Sequence, residues 1–178
     1  MMDDGPAKEQ SSATDGADGT GLKLEEFLPY RLNVVSSLTS QALSSIYAER
    51  YRIGVPEWRV LVTLGQYGVM TGKAVGSHSH MHKTKVSRAV ALLEGRKLVT
   101  RRVNKADMRE AFLSLTPAGR AIYQDLAPIA RDFVARLAEE IDPADRAAFE
   151  RVLTRLIERA AILASERGKG DAADQADR

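Results

Sequence analysis

The side chains of this chain most able to do chemistry are gathered in one short stretch. Its three histidines, His78, His80 and His82, lie within SHSHMHKTKVSR at residues 77–88, and Lys83, Thr84, Lys85, Ser87 and Arg88 follow at once. Two chemistries compete for such a run. Imidazoles at i and i+4, the spacing of His78 and His82, can ligate one metal ion from a single helical face. Lysine, arginine, threonine and serine on one helix surface instead donate to the phosphates and base edges of a duplex. The metal reading needs one helix running through residues 78–82, and the pattern around them places a boundary between two helices there. No metal site or cofactor is therefore assigned. The histidines read as structural groups, or as donors to phosphate or backbone in the bend, with a His-cluster metal-binding protein as an alternative.

The elements that must position this stretch follow from apolar spacing. HKTKVSRAVALLEGRK places Val86, Ala89, Val90 and Leu93 at i, i+3, i+4 and i+7, one stripe of a helix. At 100° per residue, Thr84, Arg88 and Ala91 fall near the opposite pole with Lys85 and Ser87 on the flanks. Two shorter helices precede it. VPEWRVLVTLGQYG starts with Pro56 at a first helical position, and Thr71 can cap TGKAVGSHS. After Gly95, LVTRRV and AFLSL read as strands joined by the turn NKADMRE, a hairpin with a basic tip. A long first helix carries Leu28, Leu32, Val35, Leu38, Leu43, Ile46 and Tyr47, with Pro29 in its first turn. Thr116 and Pro117 open a further helix that Pro128 should kink, and Asp142 with Pro143 opens the last, which bears Phe149, Val152, Leu153, Leu156, Ile157 and Ala160 on one side.

Three short helices followed by a hairpin describe a winged helix-turn-helix, mainly α with a small β-hairpin wing, whose most exposed basic helix enters the major groove. Charge is distributed to match. Residues 83–109 hold nine basic side chains against two acidic ones, a local balance of +7, while the other 17 basic and 22 acidic side chains leave the remainder at −5. A compact basic segment on an otherwise acidic protein suits a polyanion, because neutralised phosphates release condensed counterions.

Composition bounds the rest. At 178 residues without cysteine, the chain suits one domain, with no disulfide, thiolate metal site or cysteine nucleophile. It has no basic apolar leader and no apolar run near the ~20 residues of a membrane span, so a soluble, cytoplasmic protein is expected. Residues 1–21 are polar and small and read as a disordered acidic tail, and residues 165–178 as a second tail, around an ordered body at 22–164. No Gly-rich phosphate loop, G-x-S-x-G elbow or hydrolytic His-carboxylate pattern argues for an enzyme. A winged-helix protein-interaction module without DNA binding is the other alternative.

In this order, HKTKVSRAVALLEGRKLVTR, the turn ADMR and FLSLTPAGR resemble the MarR family of bacterial transcription regulators, whose wing commonly carries Asp-x-Arg, then a strand and Leu-Thr-x-x-Gly. The likeness covers about Pro29 to Leu163. It implies a homodimer: a winged helix-turn-helix at about 54–116, with N- and C-terminal dimerisation helices at about 25–51 and 117–164. It implies that Lys83, Thr84, Lys85, Ser87 and Arg88 contact a double-stranded, pseudopalindromic DNA operator from the recognition helix. By the same likeness Arg109 enters the minor groove from the wing, Asp107 braces basic partners there, and Arg101 and Lys105 meet phosphates. His82 stands where members often place an Asp or similar cap, a departure from the pattern. A repressor released by a small aromatic or phenolic acid is implied. LPYRLN and VPEWRVL look like a subgroup that responds to such acids or their CoA thioesters, with Tyr30, Arg31, Asn33 and Trp58 as candidate ligand contacts. The same four residues also suit plain packing and surface roles.

Overall fold

A computed structural model describes the backbone of residues 21–103 and 110–176, and side chains as far as residue 166. Six helices and a small sheet follow one another as α1 (Leu28–Tyr51), α2 (Val55–Tyr67), β1 (Met70–Thr71), α3 (Gly72–Ser79), α4 (Lys83–Gly95), β2 (Val99–Val103), β3 (Ala111–Leu115), α5 (Pro117–Leu137) and α6 (Pro143–Ala176). This is the mainly helical winged-helix order expected from the sequence. Two compact units divide the chain, Met1–Ser45 and Ile46–Arg178. The described part of the first holds most of α1; the second holds everything that carries the candidate site.

The core of the second unit is built by the apolar faces of α2, α3, α4 and the sheet. Val86, Ala89, Val90 and Leu93, the stripe of α4, are all buried, against Val60, Leu61 and Leu64 of α2 and Val75 of α3. Each fully buried leucine or valine contributes roughly 1.5–3 kcal/mol relative to exposure. Burying that stripe fixes which side of α4 is left to solvent. The sheet has the order β1-β3-β2, all antiparallel, with Val99 opposite Leu115 and Val103 opposite Ala111. β1 was not foreseen: two residues, pairing Met70 with Leu113 and Thr71 with Phe112, are too short to show an alternating pattern.

Caps set the helix boundaries where the sequence puts them. Thr71 Oγ1 accepts from the Ala74 N–H at 3.2 Å, and Thr116 Oγ1 from the Gly119 N–H at 3.1 Å. The Gly54 N–H donates to the Glu57 carboxylate at 2.8 Å, satisfying a donor at the start of α2. Pro128 lies inside α5, which stays helical on both sides of it. α6 runs as far as Ala176, past residue 165 where composition opens a tail.

α4 ends in a left-handed turn made without glycine. Lys97 has φ +58°, its N–H donates to the Glu94 carbonyl at 2.9 Å, and the Leu98 N–H reaches back to the Leu93 carbonyl at 2.9 Å. That pair of bonds is a Schellman motif, whose left-handed position glycine occupies without steric cost. Lys97→Gly is therefore expected to raise stability by about 1 kcal/mol, measured as a higher urea midpoint with an unchanged m-value.

Candidate nucleic-acid interface

The N-terminal turn of α4 is where local chemistry converges. Lys83, Thr84, Lys85, Ser87 and Arg88 are all exposed, on the face that burial of the apolar stripe leaves outward. The first turn contains no acidic residue. A helix N-terminus ordinarily favours carboxylates, since its free N–H groups and dipole carry partial positive charge. Two lysines with no acid there make a surface prepared for an anion from outside the chain.

The three histidines have separate structural roles. His82 caps α4: its Nδ1 accepts from the Thr84 N–H at 3.3 Å, so an imidazole does what the more usual acid would do. His80 supplies the left-handed residue of the bend between α3 and α4, at φ +50°, with its N–H directed at the Gly76 and Ser77 carbonyls. His78 lies against the Tyr67 ring, centroids 4.4 Å apart. Among the described residues no group of three or more His, Asp or Glu could hold a metal ion.

Between α3, α4 and the sheet lies a groove of about 640 Å³. Its polar lining includes Lys73 and Ser77 from α3, Lys83 and Ser87 from α4, Arg101 from β2, and Glu110. Lys73 was not singled out from the sequence. A lysine in the first turn of α3, where the dipole disfavours it and no acid accompanies it, was the available signal.

Arg101 is engaged within the chain. Its Nε and Nη2 donate to the two carboxylate oxygens of Glu94 at 3.2 and 3.0 Å, a bidentate pair tying β2 to α4. With the Arg101 side chain 48% exposed, the pair stabilises by no more than about 1 kcal/mol, so it orients the guanidinium more than it holds the fold. Lys105, Asp107 and Arg109, the remaining wing residues singled out from the sequence, lie outside the described residues.

The candidate ligand contacts separate. Tyr30, Arg31 and Asn33 are exposed on α1 in the first unit. Trp58 belongs to the core of the second: 8% exposed, with its ring stacked on Tyr47, centroids 5.7 Å apart and planes at 21°. Burial pushes the Tyr47 phenol above its ordinary pKa.

Residues 53–111, from the start of α2 into β3, match the MarR family model. A MarR family transcriptional regulator from Silicibacter pomeroyi is 28% identical, with a TM-score of 0.68 over 77% of this chain and 91% of its own. BpsR of Bordetella bronchiseptica, solved in work on regulation of its DNA binding by 6-hydroxynicotinic acid, is 22% identical, with a TM-score of 0.60 over 71% of this chain and 98% of its own. S. aureus MepR, solved in complex with DNA, is 20% identical, with a TM-score of 0.67 over 75% of this chain and 98% of its own. The last two likenesses are of fold. No curated protein matches the sequence.

Proposed function

From the match of residues 53–111 to the MarR family model, we propose that the chain is a DNA-binding transcriptional regulator, a homodimeric repressor of a pseudopalindromic operator. The observation that carries this reading is the N-terminal surface of α4, with five exposed hydroxyl and cationic side chains and no first-turn acid, beside a groove lined by Lys73 and Arg101. In the proposed complex α4 lies in the major groove. Arg88 and Thr84 face base edges, Lys83, Lys85 and Ser87 meet phosphates, and Lys73 reaches the backbone from α3. Arg109 with Asp107 reads the adjacent minor groove, and Lys105 adds a phosphate contact.

A dimer places two such surfaces about one helical turn apart, ~34 Å, against successive major grooves. α1, α5 and α6 are proposed as the pairing elements. The effector is proposed to be a small aromatic or phenolic acid or its CoA thioester, the class to which 6-hydroxynicotinic acid of the BpsR work belongs. In the free acid Arg31 would meet the carboxylate, with Tyr30 and Asn33 nearby on the same helix. Trp58 enters this reading as a packed reporter of the core. Release requires that the effector prefer a dimer whose recognition helices no longer fit the operator spacing, since equal affinity for both shapes shifts nothing.

Gel shifts over a salt series, with a duplex enriched by the full chain from random-sequence DNA, test this. Log affinity is expected to fall steeply with log salt concentration, as phosphate neutralisation requires. Arg88→Ala should weaken binding by ~1–3 kcal/mol and relax sequence preference at one operator position, with the dimer intact. Failure to enrich any duplex, or a flat salt dependence, would leave the protein-interaction module as the better reading. The same shifts with and without a panel of aromatic acids test the effector.

A further inference from the structure

The C-terminal end of α4 reaches across to α1. Arg96, the residue just past the helix, donates from Nη2 to the Tyr51 carbonyl at 2.7 Å and from Nη1 to the Arg52 carbonyl at 3.1 Å. Arg52 is left-handed, φ +50°, and closes α1, so these carbonyls have no onward helical N–H to pair with. They also form the negative end of a helix of 24 residues. A planar guanidinium fork spans two successive carbonyls in a way that a lysine ammonium does not.

The same last turn of α1 is gripped from a second side. Arg50 Nη1 and the Tyr51 hydroxyl each meet Asp125 Oδ2 of α5 at 2.8 Å. Donation to Asp125 raises the Tyr51 phenol above its ordinary pKa. Among the described residues, the two Arg96 bonds are the hydrogen bonds that join the recognition helix to α1. Their donor is exposed. A tie of this kind is either made or broken, with little core to disturb, unlike the packed stripe of α4, which deforms only at high cost.

We propose that Arg96 is a positioning residue for operator recognition: by clasping the two terminal carbonyls of α1, it fixes where α4 stands relative to a dimerisation helix and so sets the half-site spacing that the dimer accepts. This rests on the dimeric DNA-binding reading above. Asp125 acts on the same turn from α5, through the Arg50 and Tyr51 side chains, holding the carbonyls where the guanidinium finds them. Neither residue is placed at DNA, so neither should affect the reading of a single half-site.

The test uses the full chain and a duplex that the unmodified chain enriches from random-sequence DNA, alongside a half-site duplex and versions with one or two base pairs inserted or removed between half-sites. For Arg96→Ala, the preference for the enriched spacing over altered spacings should fall by roughly 5-fold or more, the low end of couplings between distinct sites. Half-site affinity should stay within about 2-fold, and the dimer should persist. Asp125→Asn should lower the same preference. Arg96→Lys, which keeps the charge and loses the fork, should fall between wild type and alanine, and carries the comparison if the alanine variant does not fold. An unchanged spacing preference in a folded dimer, or equal losses on half-site and full site, overturns the proposal. Failure of the unmodified chain to enrich any duplex instead removes the DNA-binding premise itself.

Discussion

Gly119→Ala is expected to destabilise the second unit by about 3 kcal/mol, through overpacking against a backbone atom. A β-carbon built at Gly119 would sit 2.0 Å from the Leu98 carbonyl oxygen and 3.0 Å from its carbon. No side-chain rotation relieves that, because the obstacle is main chain. Leu98 is itself held: its carbonyl accepts from the Thr116 N–H at 3.0 Å, and its N–H is committed to the Leu93 carbonyl at the end of α4. α5 would have to lift from the Leu98 main chain, exposing Ile122 and Leu126, both buried on α5. Gly65→Ala is the informative contrast. Its β-carbon would meet the Tyr123 ring at 2.6 Å, but that obstacle is a side chain that can swing aside, so a smaller loss is expected. Thermal or urea unfolding of the two variants should rank them in that order; a Gly119→Ala protein as stable as wild type would mean that α5 shifts freely on the sheet.

Leu115, Thr116 and Gly119 give the Leu-Thr-x-x-Gly run a physical meaning. Leu115 is buried at the end of β3. Thr116 Oγ1 donates to the Lys97 carbonyl at 2.8 Å while accepting from the Gly119 N–H, so one hydroxyl caps α5 and ties it to the turn after α4. Gly119 allows the approach. The end of α4, the start of β2 and α5 are thereby fixed to one another at a single junction.

Features governed by neighbours in sequence were legible before any coordinates. The i, i+3, i+4, i+7 stripe of α4 is buried because a period of 3.6 leaves it one face to bury. Thr71 and Thr116 cap where a hydroxyl precedes a helical pattern, a contact spanning three residues. What escaped depends on partners far along the chain or on unusual residues in familiar roles. Nothing local in Arg101 says that Glu94 will hold it, and nothing local in Arg96 points to carbonyls more than forty positions earlier. His80 and Lys97 in left-handed turns use residues other than those usually found there, so composition gave no cue, whereas His82 stands at the cap position that the family likeness marks and fills it with an imidazole.

Phe149→Asp combined with Val152→Asp is expected to dissociate the proposed dimer and to lower affinity for a full operator by about 100-fold or more, the scale on which linked binding sites exceed single ones. Phe149 is 58% exposed, and Val152, Ile157 and Leu163 lie along the same side of α6 with comparable exposure. A 34-residue helix presenting such a stripe to water is poorly supported, because helix stability in proteins comes mainly from packing of an apolar face. A second copy of the same face would cover it, and a symmetric pair would bring each introduced carboxylate toward its mate. The folded monomer should lose little, since exposed substitutions rarely cost more than about 0.5 kcal/mol. Sedimentation at micromolar concentration reads the oligomeric state, and half-site and full-site duplexes separate loss of pairing from loss of DNA contact. Half-site affinity unchanged within about 2-fold, with the full-site advantage gone, is the expected pattern. A persistent dimer would place the pairing surface elsewhere than on α6, and equal losses on both duplexes would mean that the acidic pair acts on DNA contact itself.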